Sequence, residues 1–144
     1  MKKFFNTSKI TAFNKIETSN TILLGTANGE VLFFNPVSFK VTKKTNNQKS
    51  KVTSIANFQN KEVAIGYENG AISLLSLKNY KPIKLIKSHN DIVSGLAFTP
   101  DGKYLVSAGW DKNIFVWNRN NYKLELNINA HKNIVSAINF WNNK

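Results

Sequence analysis

The sequence contains no cysteine, so neither a disulfide framework nor a thiolate metal site is open to it. It has two histidines, His89 and His131, too few for most zinc constellations. Arg119 is the only arginine, which removes the arginine cluster that nucleic-acid readers use for bidentate base contacts. No apolar run approaches the ~20 residues of a membrane-spanning helix. Met1-Lys2-Lys3-Phe4-Phe5 opens like a secretory leader, but the polar Asn6-Thr7-Ser8-Lys9 stands where its apolar region would be. No carboxylate pair, activated nucleophile or metal cluster converges. We therefore assign no catalytic residue, metal or cofactor, and expect a soluble, cytoplasmic, non-enzymatic chain.

What the sequence does have is a repeat. Lys9-Ile10-Thr11, Lys51-Val52-Thr53, Ile92-Val93-Ser94 and Ile134-Val135-Ser136 open four similar segments, spaced by 42, 41 and 42 residues. Asn28-Gly29, Asn69-Gly70 and Asp111-Lys112 recur with spacings of 41 and 42. Asn-Gly between two apolar runs predicts a hairpin, with a type I′ turn as the expected geometry. Pro100-Asp101-Gly102 supplies another turn: Pro presets φ, Asp bonds its own backbone and Gly takes the left-handed position. The runs between turns are rich in Ile, Val, Leu and Phe, without a helical stripe.

A period of ~40–45 residues with four short strands marks a β-propeller blade. The chain is therefore expected to be all-β, a partial β-propeller in one incomplete domain spanning 1–144. Three four-stranded blades are placed at about 8–44, 51–87 and 92–128, beginning with strands at 8–13, 51–57 and 92–98. One further strand at 134–140 would open a fourth blade, with Phe140 and Trp141 as its core. Three blades and a strand fall short of the ~4–8 of a closed propeller. A piece of a longer propeller, self-association of copies into a full ring, and an open wedge held by a partner all remain compatible with this shortfall.

The net charge is +12, almost all of it from lysine. Lys40, Lys43 and Lys44, and then Lys78, Lys81, Lys84 and Lys87, fall on or beside the last strand of blades one and two. There they would keep an outer edge from pairing with another chain. The alternative reading is a lysine surface for nucleic acid or another polyanion.

The third unit carries a more specific pattern. It runs Ser88-His89, Ile92-Val93-Ser94-Gly95-Leu96-Ala97-Phe98, Pro100-Asp101-Gly102, Leu105-Val106-Ser107-Ala108-Gly109-Trp110-Asp111 and Ile114-Phe115-Val116-Trp117-Asn118. This resembles the tryptophan–aspartate (WD) repeat family, with Ser88 for a glycine and Asn118 for an aspartate. Ala130-His131 and 133–140 echo it more faintly. The resemblance implies a buried tetrad in which His89 joins Asp111 to Ser107, and Ser107 meets the Trp117 indole. At the same positions units one and two hold Asn6, Leu24, Asn28 and Phe34, then Gln48, Ile65, Asn69 and Leu75. The network is thus kept whole or lost whole, as expected if a half-satisfied buried network is worse than an apolar core.

His89, Asp111 and Ser107 also spell a catalytic triad, but these are the positions the family uses to tie strands together, and no oxyanion hole accompanies them. His131 is expected to be structural in origin and unpaired. The resemblance implies a protein-binding scaffold, with Trp110 on the face that receives partners and Asn90, Ile92 and Glu68 beside it. Asp91 and Lys132 are weaker candidates. A large aromatic in a turn is the usual make-up of an interface anchor, although it would also suit a lid over the neighbouring blade. A remoter reading, from the degenerate repeats, is an accessory protein of a bacterial nitrate reductase system.

Overall fold

The computed structural model describes residues 8–129 and 132–140. Among them are twelve strands and no helix. β1 (Ile10–Ile16), β2 (Thr21–Thr26), β3 (Glu30–Asn35) and β4 (Lys40–Asn46) form the first antiparallel sheet. β5 (Val52–Phe58), β6 (Glu62–Tyr67), β7 (Ala71–Ser76) and β8 (Pro82–Lys87) form the second. β9 (Val93–Phe98), β10 (Tyr104–Gly109), β11 (Ile114–Asn118) and β12 (Leu124–Ile128) form the third. Each sheet is a meander in chain order, and the inner strands β1, β5 and β9 pack side by side. This is the expected all-β arrangement of three four-stranded blades.

The middle strands of the second sheet are apolar on both sides because that sheet lies between the other two. Every residue of β6 is buried, and so is every residue of β7 except Ser76. The outer strands are wet. β4 holds Lys40, Lys43 and Lys44 in the open, and β8 likewise exposes Lys84 and Lys87. Leu23, Val31 and Phe33 of the first sheet pack on Val63, Ile65 and Leu75 of the second. Ala64, Ile72, Leu74 and Ile86 on the second sheet's other side pack on Leu105, Phe115 and Trp117 of the third.

Three expectations are corrected. Residues 134–140 carry no ladder, so no fourth sheet begins among the described residues; a strand is defined by its paired neighbour, and this segment has none. Phe140 is accordingly 36% exposed and is not core, while Trp141, Ala130, His131 and Asn6 lie outside the described residues. The hairpin turns are not type I′. In Thr26–Gly29, Tyr67–Gly70 and Gly109–Lys112 the last N–H donates to the first carbonyl at 3.2 Å, and positive φ falls on the last residue alone: Gly29 (92°), Gly70 (81°) and Lys112 (70°). This is the three-residue loop built on an ordinary turn and closed by a left-handed residue, and it makes Ala27, Glu68 and Trp110 the first loop residues.

The recurring segment starts acquire a physical meaning in the ladders. Each inner strand is interrupted at one residue, Thr11 in β1, Thr53 in β5 and Ser94 in β9, where the register with its neighbour slips by one. A bulge re-aims the side chain of its extra residue, and here all three are hydroxyls. Thr11 Oγ1 donates to the Val52 carbonyl at 2.6 Å and Thr53 Oγ1 to the Val93 carbonyl at 2.6 Å. Ser94 Oγ donates to the Val135 carbonyl. Each inner strand is thus latched to the next one along the chain, and the last latch holds 134–140 against β9.

Candidate functional site

His89 sits between β8 and β9, Ser107 on β10, Asp111 in the β10–β11 loop and Trp117 on β11. Their backbone separation hides a continuous chain of contacts. His89 Nδ1 lies 2.9 Å from Asp111 Oδ1, and His89 Nε2 lies 2.9 Å from Ser107 Oγ. The Trp117 indole Nε1 donates to Ser107 Oγ at 3.0 Å. An ionised carboxylate only accepts, so His89 carries its proton on Nδ1 and gives it to Asp111. Nε2 must then accept, which makes the Ser107 hydroxyl its donor and leaves the Ser107 oxygen to accept from Trp117. All four groups point their protons one way, from indole to carboxylate.

The electrostatics keep this polarity. Burial pushes the His89 imidazole below its ordinary range, and the Asp111 hydrogen bond and charge offset this only in part. Burial raises Asp111, but the hydrogen bonds from His89 and from the Asn90 and Asn113 N–H groups outweigh it and hold the carboxyl below its ordinary range. A neutral imidazole therefore faces an ionised carboxylate. Ser107 is fully buried and already uses its oxygen as acceptor and donor. No substrate reaches it, so the triad-like trio works as a strand tie.

Asp111 connects this interior to the surface. Its Oδ2 accepts from the Asn90 N–H at 3.0 Å, and its Oδ1 accepts from the Asn113 N–H at 3.2 Å. The adjacent Trp110 donates its N–H to the Ile92 carbonyl at 3.0 Å. The loop is held from three sides while Trp110 itself stays 42% exposed. Trp110 and Ile92 line one cavity of about 270 Å³ together with Lys51, Thr53, Ser94 and Ser136. Glu68 joins them indirectly, through an ion pair of 2.5 Å to Lys51. Asn90 meets the site through its backbone, on Asp111. Asp91 turns inward on its own loop, accepting from the Ile92 N–H at 2.7 Å. Lys132 is exposed and does not line this cavity.

Sequence reasoning missed a second polar cluster. Arg119 Nε donates to the Glu62 carboxylate, and Nη1 donates to the Gly102 carbonyl at 3.1 Å. The guanidinium also lies 4.2 Å from the centre of the Phe58 ring. Burial, and then the Glu62 carboxylate, push the Tyr122 phenol well above its ordinary range. The single arginine therefore clamps the second sheet to the third. No repeat signal could have revealed this, because Arg119 answers to Leu77 in the second sheet and Pro36 in the first.

Residues 80–118 match the family profile described as "WD domain, G-beta repeat". This segment is a WD repeat. The matched span begins at β8 and ends with β11, so the family's unit takes the outer strand of one sheet and three strands of the next. "NET1-associated nuclear protein 1" of Saccharomyces cerevisiae is 43% identical over 56 residues, which are 39% of this chain and 6% of that protein. "DDB1- and CUL4-associated factor 13" of Dictyostelium discoideum is 46% identical over 55 residues, 38% of this chain and 12% of that protein. The solved structure of "RRP9 WD40 repeats" superposes with a TM-score of 0.85 at 20% identity, over 92% of this chain and 42% of that one. The chain thus spans a small part of these curated relatives. The likeness to solved structures is one of fold, the β-propeller. WD repeats of this kind typically build non-catalytic interaction scaffolds. Nothing in these likenesses supports the polyanion or nitrate reductase readings. Among the described residues, no helix is long and apolar enough to cross a membrane.

Proposed function

We propose that the chain is a protein-binding scaffold that docks its partner on the face carrying Trp110. The observation that carries this is one side chain. A tryptophan is 42% exposed on a loop fastened to a buried hydrogen-bond relay, at the mouth of a small cavity. A rigid aromatic beside an aliphatic residue and a charged pair, here Ile92 and Lys51–Glu68, has the composition of an interface anchor. At about 270 Å³ the cavity lies just under the ~300–1,000 Å³ of small-molecule sites and has room for a side chain of a partner. The relay has the internal role of holding the loop, and Asn90 shapes the rim through its backbone.

The test pairs wild type with Trp110→Ala. Proteins retained by wild type and lost by the variant are purified and titrated against both. Loss of a buried aromatic anchor should weaken binding about thirty-fold, equivalent to about 2 kcal/mol, with unchanged circular dichroism. Equal affinity for both forms removes Trp110 from the interface. An affinity that collapses as salt rises would return the lysines to consideration.

A further inference from the structure

The two junctions between sheets differ at the end remote from Trp110. In the second junction the Arg119 guanidinium fills the space between sheets. It bonds to Glu62 and to the Gly102 carbonyl and lies over the Phe58 ring, with Tyr122 close by. One repeat earlier, Thr21 stands for Glu62, Ile16 for Phe58, Leu77 for Arg119 and Tyr80 for Tyr122. Both tyrosines take the same left-handed backbone, with φ of 57° at Tyr80 and 53° at Tyr122. Yet Tyr122 is 6% exposed and Tyr80 41%. Leu77 is too short to do what the guanidinium does, and a slot of about 220 Å³ stays open between the first and second sheets. Ile16, Leu77 and the edge-to-face pair Phe33–Tyr80 wall it. Ser19, Thr21 and Asn60 give it a polar lining.

We propose that this slot is a second docking point, which takes an acidic side chain of a partner protein. Its size suits a side chain, because the next junction fills the counterpart with one. Its charge selects which. Thr21 stands where Glu62 neutralises Arg119, and no acid lines the slot, so an entering cation would meet no carboxylate. Lys43 places its Nζ 5.1 Å from the centre of the Tyr80 ring and forms no ion pair with an acid among the described residues. Asn60 uses its side-chain oxygen to accept from the Thr18 hydroxyl, which leaves its amide N–H groups to donate. Ser19 and Thr21 add hydroxyl donors. Hydrogen bonds to a carboxylate are roughly twice as strong as neutral ones, and the apolar walls suit the methylene stem of a glutamate. The net charge of +12 favours the approach of an acidic partner. The inference goes beyond the docking role of Trp110 and does not depend on it. The slot is built at the β1–β2, β5–β6 and β7–β8 loops, whereas Trp110 sits in the β10–β11 loop at the opposite end of the sheets.

The experiment is an NMR titration of the isotope-labelled chain, at constant ionic strength, with glutamate blocked as its N-acetyl N-methylamide. Saturable shifts are expected at the amides of Ser19, Thr21, Asn60, Leu77 and Tyr80, with Trp110 unmoved. The matching glutamine and arginine compounds should produce none. Lys43→Gln should weaken the glutamate site about two- to five-fold, as for one exposed ion pair. Thr21→Glu combined with Leu77→Arg rebuilds the clamp in the first junction and should abolish the shifts, with unchanged circular dichroism. If that pair fails to fold, Tyr80→Ala removes an exposed wall and should abolish them as well. Absence of saturable shifts at these amides in wild type, equal binding of the glutamine compound, preference for the arginine compound, or shifts undiminished in the variants each overturns the proposal.

Discussion

Ser107→Ala isolates the relay in one small change. The hydroxyl is fully buried and serves two partners, so its removal leaves His89 Nε2 without a donor and the Trp117 indole without an acceptor. Each buried group left unpaired costs about 1–3 kcal/mol, and two of them cost about 2–6 kcal/mol. Against a total stability of about 5–15 kcal/mol for a domain, that is a large fraction for one oxygen atom. The second sheet shows the alternative. It fills the four positions with Gln48, Ile65, Asn69 and Leu75, buries Ile65 and Leu75 completely, and keeps Asn69 as the loop acceptor at 3.1 Å from the Ala71 nitrogen.

Transplanting that set by His89→Gln, Ser107→Ile, Asp111→Asn and Trp117→Leu removes every demand of the relay at once. Its cost should fall short of the four single costs added together by at least about 1.5 kcal/mol, since contacting residues in one network couple by about 0.5–3 kcal/mol per pair and the relay has three such pairs. Urea titrations followed by far-ultraviolet circular dichroism give the five values, and hydrogen exchange locates the loss in β10 and β11. If the single costs simply add, or if Ser107→Ala costs under about 0.5 kcal/mol, the four groups do not act as one network.

Two further outcomes follow from local geometry. Folding holds His89 neutral, whereas the unfolded chain takes up its proton near the ordinary value of 6.5, so acid favours unfolding. The contribution of His89 is complete above about pH 6.5 and is lost as pH falls through its depressed folded value. Asp111 adds a second loss below its ordinary 3.8. His89→Gln should therefore flatten the fall of the urea midpoint below about pH 6.5, and an unchanged fall would refute the assignment. Lys112 holds a φ of 70° where Gly29 and Gly70 stand in the other loops. Lys112→Gly should raise stability by about 0.5–1 kcal/mol in the same titrations, because a Cβ in the left-handed region costs about 1–2 kcal/mol and glycine's extra unfolded entropy returns part of it. A loss instead would show that the lysine stem contributes packing.

The relay was legible in the sequence because its chemistry is exclusive. Imidazole, carboxylate, hydroxyl and indole must recur at fixed offsets, and units one and two show what replaces them. The lysines of β4 and β8 were legible for a similar reason, since an edge that must stay unpaired needs charge. The loop geometry was misjudged because Asn-Gly fits a two-residue and a three-residue hairpin equally, and the ladder register decides between them. The latches were present as Thr11, Thr53 and Ser94 but unreadable. Their acceptors lie about forty residues away on another sheet, and only the bulge aims the hydroxyls there. The Arg119–Glu62 clamp spans 57 residues without a counterpart in either other unit, so periodicity held no trace of it.

These features bear on why the exposed tryptophan and the buried relay occur in the same unit. Trp110 is the first residue of its loop and Asp111 the second, so any freedom in Asp111 passes straight to the Trp110 ring. The first sheet places Ala27 there and the second places Glu68, and both secure the loop with asparagine. In the third sheet a carboxylate takes that role, accepting from an imidazole, from the Asn90 N–H and from the Asn113 N–H. An aromatic anchor gains from such restraint, because each rotamer frozen on binding costs about 0.5–1.5 kcal/mol if it is not frozen beforehand. Asp111→Asn weakens the imidazole bond yet leaves Trp110 in place. It should therefore reduce partner affinity by a smaller factor than Trp110→Ala, with a loss of loop protection in hydrogen exchange that Trp110→Ala does not produce. A partner bound equally well by Asp111→Asn would mean that the relay serves the sheet alone and the loop needs no help from it.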